Sequence, residues 1–175
     1  MRTNRVLCIG TILTVLAAGT AHAGANDRAF FDGLSGRWEG PGKIVAGKYR
    51  GTRFSCSLNG TSSAKNPGMT LDGRCRVGLF SQRVSARVER KGRSYKGSFL
   101  DGAKGKGLDV VSGNVSGNRM TVGMTRDQLK GAMVARKDRD GTLDVTVSVR
   151  IGDELVPVIG MDLTRVDGTA VGSVR

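Results

Sequence analysis

The chain has 175 residues, 28 lysines and arginines against 15 acids, and a single histidine, for a net charge of +13. That length fits one domain of ordinary size, and Trp38 is the only tryptophan in an aromatic-poor chain. The one histidine is His22, so any chemistry needing a histidine further along is excluded: Ser-His-Asp and Cys-His catalysis and the usual zinc sites.

Arg2 and Arg5 give a basic start, 6–18 is an apolar run, and Ala21-His22-Ala23 forms a small-x-small cleavage site. This is the pattern of a signal peptide over 1–23. The run is too short, and too broken by Gly10, Thr11 and Thr14, to span a bilayer, which takes ~20 residues. No later run is longer, so no transmembrane segment is expected after leader removal. Without Arg2 and Arg5, 26 basic side chains face 15 acids, and the net charge is +11. Cys8 leaves with the leader. Cys56 and Cys75 remain, and in an oxidising compartment they predict one disulfide. The expected location is the bacterial periplasm or the medium.

Residues 26–33 predict a short helical segment, capped by Asn26, with Phe30, Phe31 and Leu34 on its apolar side. So short a helix is stable only when it lies on something. From Gly36 the period becomes two. A strand over 36–45 places Gly36, Trp38, Gly40, Gly42 and Ile44 on one face and Arg37, Glu39 and Lys43 on the other. Its inner face is nearly bare after Trp38, which suits a bend or a close approach. A strand over 50–59 groups Phe54, Cys56 and Leu58, and one over 69–77 groups Leu71, Gly73, Cys75 and Val77. Folding the two about Lys65-Asn66-Pro67-Gly68 sets 54 opposite 77, 56 opposite 75 and 58 opposite 73. The cysteines then meet on the apolar face.

The strand at 83–90 alternates strictly, with Val84, Ala86 and Val88 inward. Lys91-Gly92 turns the chain into 94–100, where Tyr95, Gly97 and Phe99 share a face. A Gly/Lys loop over 101–107 leads to a strand at 108–115, and Ser116-Gly117-Asn118 turns into 119–125, with Met120, Val122 and Met124 together. The strand at 131–136 shows no clear face. Asp140-Gly141 is a hairpin signal before 143–150, where Leu143, Val145, Val147 and Val149 alternate with polar residues. Gly152-Asp153 turns into 155–166, with Ile159, Met161, Leu163 and Arg165 aligned. The fold class is all-β: an antiparallel up-and-down β-barrel of about 8–10 strands with a short N-terminal helical segment, the alternative being a β-sandwich. One domain covers 24–166, and 167–175 is a flexible tail.

Gly36-Arg37-Trp38 resembles the G-x-W signature that opens the calycin barrels (lipocalins, fatty-acid-binding proteins, avidins). The longer Leu34-x-Gly36-x-Trp38-x-Gly40-x-Gly42 is similar to the first strand of the nitrobindin-type barrels. The likeness is local, but it stands just after a helical turn at the head of a β-only chain. It implies a tryptophan at the barrel base beneath an arginine from the last strand. Arg165 occupies that place, and stacking on Trp38 would give it a cation–π partner; the alternative is an arginine turned to solvent. Nitrobindin-type barrels hold haem iron through a histidine, which this chain lacks beyond its leader, so haem is not carried over and no cofactor is expected.

No catalytic residue and no metal site is predicted. Asp138-Arg139-Asp140-Gly141 lacks the third acid and the closing glutamate of a calcium loop. Two candidate sites remain. One is the barrel interior, with Trp38, Phe54, Leu71, Tyr95, Phe99, Met120, Met124 and Met161 as ligand-binding residues, and Val147 beside them. Methionines suit an adaptable apolar pocket, although the same residues make a packed core, and a binding pocket calls for ~300 Å³ or more. The other is the outer face formed by Arg74, Arg76, Arg83, Arg87 and Lys96, with Arg90, Lys91 and Arg93 at the adjoining turn. It is either solubilising charge or a place for anionic lipid headgroups, lipopolysaccharide or nucleic acid. Few aromatics interleave, which argues against specific nucleic-acid readout. The expected function is an exported, non-enzymatic calycin-like barrel binding a small apolar or amphipathic ligand. The alternative is a cell-envelope protein that meets anionic surfaces or a partner protein through its basic face. A proteinase inhibitor is a weaker third reading.

Overall fold

The computed structural model describes residues 20–100 and 107–166. The predicted tail, nearly all of the Gly/Lys loop and most of the predicted leader lie outside the described residues. One helix, α1 (Thr20–Leu34), precedes ten strands: β1 (Gly36–Ile44), β2 (Arg53–Ser62), β3 (Gly68–Val77), β4 (Phe80–Lys91), β5 (Ser94–Leu100), β6 (Leu108–Ser116), β7 (Arg119–Arg126), β8 (Leu129–Lys137), β9 (Thr142–Ile151) and β10 (Glu154–Val166). Each strand pairs antiparallel with its sequence neighbours, and β10 returns to β1. The sheet is therefore a closed up-and-down barrel without edges, and the sandwich alternative falls.

Alternation explains most of the burial. Trp38 is buried from β1, Cys56 and Leu58 from β2, and Met120, Val122 and Met124 from β7. β8, which shows no face in the sequence, turns Met133 and Ala135 inward. β6 keeps its inward set only through a bulge between Val110 and Ser112, which throws Val111 outward to 40% exposure. A second irregularity, between Pro157 and Ile159, accommodates a proline that has no N–H to give to the ladder.

Short hairpins close most strand pairs. At Gly78-Leu79, Gly92-Arg93, Gly117-Asn118 and Gly152-Asp153 the first central residue has positive φ, which glycine adopts without strain. At Asp127-Gln128 an aspartate takes the same conformation, at φ 52°.

The helix differs from the sequence expectation. It begins six residues before Asn26, which lies inside it and is not its cap. The run with Ala21, Ala23 and Ala25 has the highest helix propensity available and extends it. Asp27, Phe30, Phe31 and Leu34 follow the i, i+3, i+4, i+7 spacing of one helical face, and all four are buried. That face covers the barrel end where β1 starts and β10 finishes, the closed end. No described helix or strand covers the other end, where 45–52 and the turns at 78–79, 127–128 and 152–153 lie. That is the open end.

Candidate functional site

The closed end is held by polar contacts that an apolar plug alone would not supply. The Trp38 indole N–H donates to the Leu34 carbonyl at 2.9 Å. The Arg165 guanidinium lies 4.7 Å over the Trp38 ring and donates to the carbonyls of Gly33 and Ser35. It therefore caps the last carbonyls of α1, which a helix cannot satisfy by itself, while stacking on the indole. Arg28 donates to the carbonyls of Ser63, Ala64 and Lys65 in the β2–β3 loop. Beneath the helix, the Tyr95 hydroxyl donates to the buried Asp27 carboxylate at 2.6 Å, and Arg90 donates to the same oxygen at 3.0 Å. Burial, reinforced by the hydrogen bond to Asp27, pushes the Tyr95 phenol well above its ordinary range. The sequence reading missed Asp27. Its signal was an acid at i−3 and i−4 to two phenylalanines, on the side of the helix that must be buried.

Cys56 and Cys75 stand opposite each other in the β2–β3 register and are bonded, with Cα atoms 4.1 Å apart. Leu58 opposes Gly73, as the sequence predicts. The pair faces the interior, where Cys56 is buried and Cys75 lines the central cavity.

That cavity holds about 140 Å³. Trp38, Leu71, Phe99, Met120, Met124 and Met161 line it, joined by Met69, Met133, Val110 and Leu163. Two of the predicted lining residues lie elsewhere. Tyr95 is drawn to the closed end by Asp27 and packs on Phe31 at 5.5 Å between ring centroids. Phe54 lies across Gly42, where a Cβ would collide with its ring, and so fills the bare stretch of β1. Val147 packs against the core without lining the cavity. The volume is short of the few hundred Å³ expected for a binding barrel. Much of the interior is packed side chain.

The outer face is only partly the cluster that the sequence suggests. Arg74 stands directly opposite Arg83, and Arg76 lies between Ser55 and Ser81. Closer to the open end, Lys43 opposes Arg53 across β1 and β2. Like charges in directly opposed pairs disfavour one another by tenths of a kcal/mol, and the acid that reaches this group is Asp72, 3.6 Å from Arg83. Arg87 and Lys96 belong to a different environment. Arg87 opposes Thr70 and Ser98, while Lys96 opposes Glu89 and donates to the Val111 carbonyl.

Among the described residues no group of three or more His, Cys, Asp or Glu side chains converges. Asp140 spends its carboxylate on its own turn, accepting from the Thr142 hydroxyl at 2.7 Å and the Thr142 N–H at 3.0 Å, which lowers its pKa. No described helix is long and apolar enough to cross a membrane. No protein-family model and no curated protein matches the chain.

Proposed function

We propose that the chain is an exported, non-enzymatic, calycin-like barrel that holds a small apolar molecule, or the apolar end of an amphipathic one, in its interior. The supporting observation is the central cavity: closed at one end by α1, lined almost wholly by apolar side chains, and rich in methionines that can re-pack around a guest. Its size narrows the ligand. About 140 Å³ is below the ~300 Å³ where ordinary small-molecule sites begin, and is close to the ~150 Å³ apolar cavity that takes up benzene. The ligand class is one ring or a short alkyl segment. Export is supported by the Cys56–Cys75 bond, since disulfides persist in oxidising compartments. Saturating toluene should raise the thermal midpoint of the protein, and an unchanged midpoint rejects the reading.

A second reading, contact with anionic surfaces through the basic wall, is favoured by one observation. The Arg74–Arg83 and Lys43–Arg53 pairs keep like charges opposed where a neutral residue would relieve the repulsion.

A further inference from the structure

Of the large apolar side chains left exposed among the described residues, all but Val111 sit at the open end or on the strand ends beside it. Leu79 is 100% exposed, Phe80 84%, Tyr49 63% and Ile151 62%. Leu79 is the most telling. It is the second residue of a two-residue hairpin, and the matching position in the other such hairpins is Arg93, Asn118, Gln128 or Asp153. The turn itself asks only for the glycine before it, so nothing local calls for an apolar residue at 79.

Charge is distributed with the same bias. Between Gly40 and Leu58, and between Gly73 and Val84, the chain carries only cations: Lys43, Lys48, Arg50 and Arg53 in the first segment, and Arg74, Arg76 and Arg83 in the second. β2 and β3 are neighbours, so both segments occupy one arc of the open end, around the Leu79-Phe80 tip. Among the described residues, the acids nearest this end, Asp109, Asp127, Asp153 and Glu154, belong to β6 and to the β7–β8 and β9–β10 hairpins, on another arc. Exposed apolar tips bordered by cations in excess, with Asp72 beside Arg83 as the acid that reaches them, match the chemistry of an anionic bilayer surface, with phosphates at the height of the guanidinium groups and acyl chains beneath.

We infer that the barrel docks open end down on anionic lipid, with Leu79 and Phe80 entering the interface and the β1–β4 cations on the headgroups. This rests on the anionic-surface reading and adds to it the partner and the docking end. The docked arc borders the end of the barrel that α1 leaves uncovered, so an amphipathic ligand would meet the protein there.

The test is co-sedimentation of the full chain with vesicles of phosphatidylcholine alone and with phosphatidylglycerol added. Binding is expected only to the anionic vesicles, falling as salt rises. Both Leu79→Asp/Phe80→Asp and Arg74→Glu/Arg76→Glu should weaken it about tenfold or more. These positions are exposed, so the fold is retained, and Phe80→Trp should shift its emission to the blue when vesicles are added. If the charge variant loses binding and the tip variant keeps it, the wall reading stands and tip docking is overturned. No binding of the wild type to anionic vesicles overturns both. If the tip variant instead dissolves a dimer seen by sedimentation and leaves vesicle binding intact, the tip is a contact between copies and the inference is overturned.

Discussion

Arg165 shows most clearly how one side chain can carry two duties. It is an arginine on the apolar face of a strand, and the structure gives it the Trp38 ring and two carbonyls at the end of α1. Arg165→Ala removes the stacking and leaves both carbonyls without their donor, so it should cost about 2–4 kcal/mol in urea denaturation. Arg165→Lys should recover only part, because an ammonium cannot fork between two carbonyls while lying flat on an indole. Tyr95 makes a pH-dependent claim. Its phenol is held protonated in the folded protein above the ordinary tyrosine value. The folded state therefore binds the proton more tightly, and this contribution is complete below the unfolded pKa of ~10 and fades as pH rises beyond it. Tyr95→Phe should lose about 1–3 kcal/mol at neutral pH by depriving Asp27 of a donor, and its stability should fall less steeply above that pH. An equal alkaline slope in both proteins would show that Tyr95 is not the group responsible. At this scale Arg165 was legible as an arginine on an apolar face, and its pairing with Trp38 as what the resemblance to the calycin first strand implies. Asp27 was legible in principle but hidden, because the helix was read as starting near it.

Among the elements, β2 and β3 were the easiest to read. Two cysteines on strictly alternating strands, with a turn-rich segment between them, allow one register, and that register puts a bond across the interior. Replacing both cysteines by alanine should cost about 3 kcal/mol by loop-closure reasoning for a separation of 19 residues. A loss near zero in denaturant titration would mean that the denatured chain is already held near that geometry. β8 and β6 resisted reading for physical reasons. In Gly131-Ala132-Met133-Val134-Ala135 both faces are apolar or small, so period two gives no contrast; only the neighbours' registers select Met133 for the inside. In β6 the bulge moves the face by one residue midway, which no fixed alternation can express. The length of α1 was underestimated because Asn26 is a good cap by type, but a preceding alanine-rich run makes capping there unnecessary.

For the molecule as a whole, strand order follows from short turns between consecutive strands and was within reach of the sequence, whereas closure is decided by the pairing of β10 with β1, which the strand spacings leave open against a sandwich. The capacity of the interior was not. It depends on how far Phe54 reaches over Gly42, where α1 seats Phe31, and which face of β8 turns inward, and each of these is a packing outcome. The polarity of the molecule was likewise invisible in the linear chain. Its cations and exposed apolar tips are dispersed along the sequence and meet only when alternate hairpins are brought to one end. The resulting molecule has a base covered by α1, an apolar centre, and an opposite end whose exposed apolar tips are bordered on one arc by cations. The most direct test is thermal unfolding with and without saturating toluene, run on the wild type and on Ala86→Leu, whose added carbons project into the cavity between Leu71 and Phe99. The prediction is a raised midpoint for the wild type and a much smaller rise for Ala86→Leu. A wild type that toluene leaves unmoved, or a filled variant that responds as strongly as the wild type, would contradict an interior that takes up a small apolar guest.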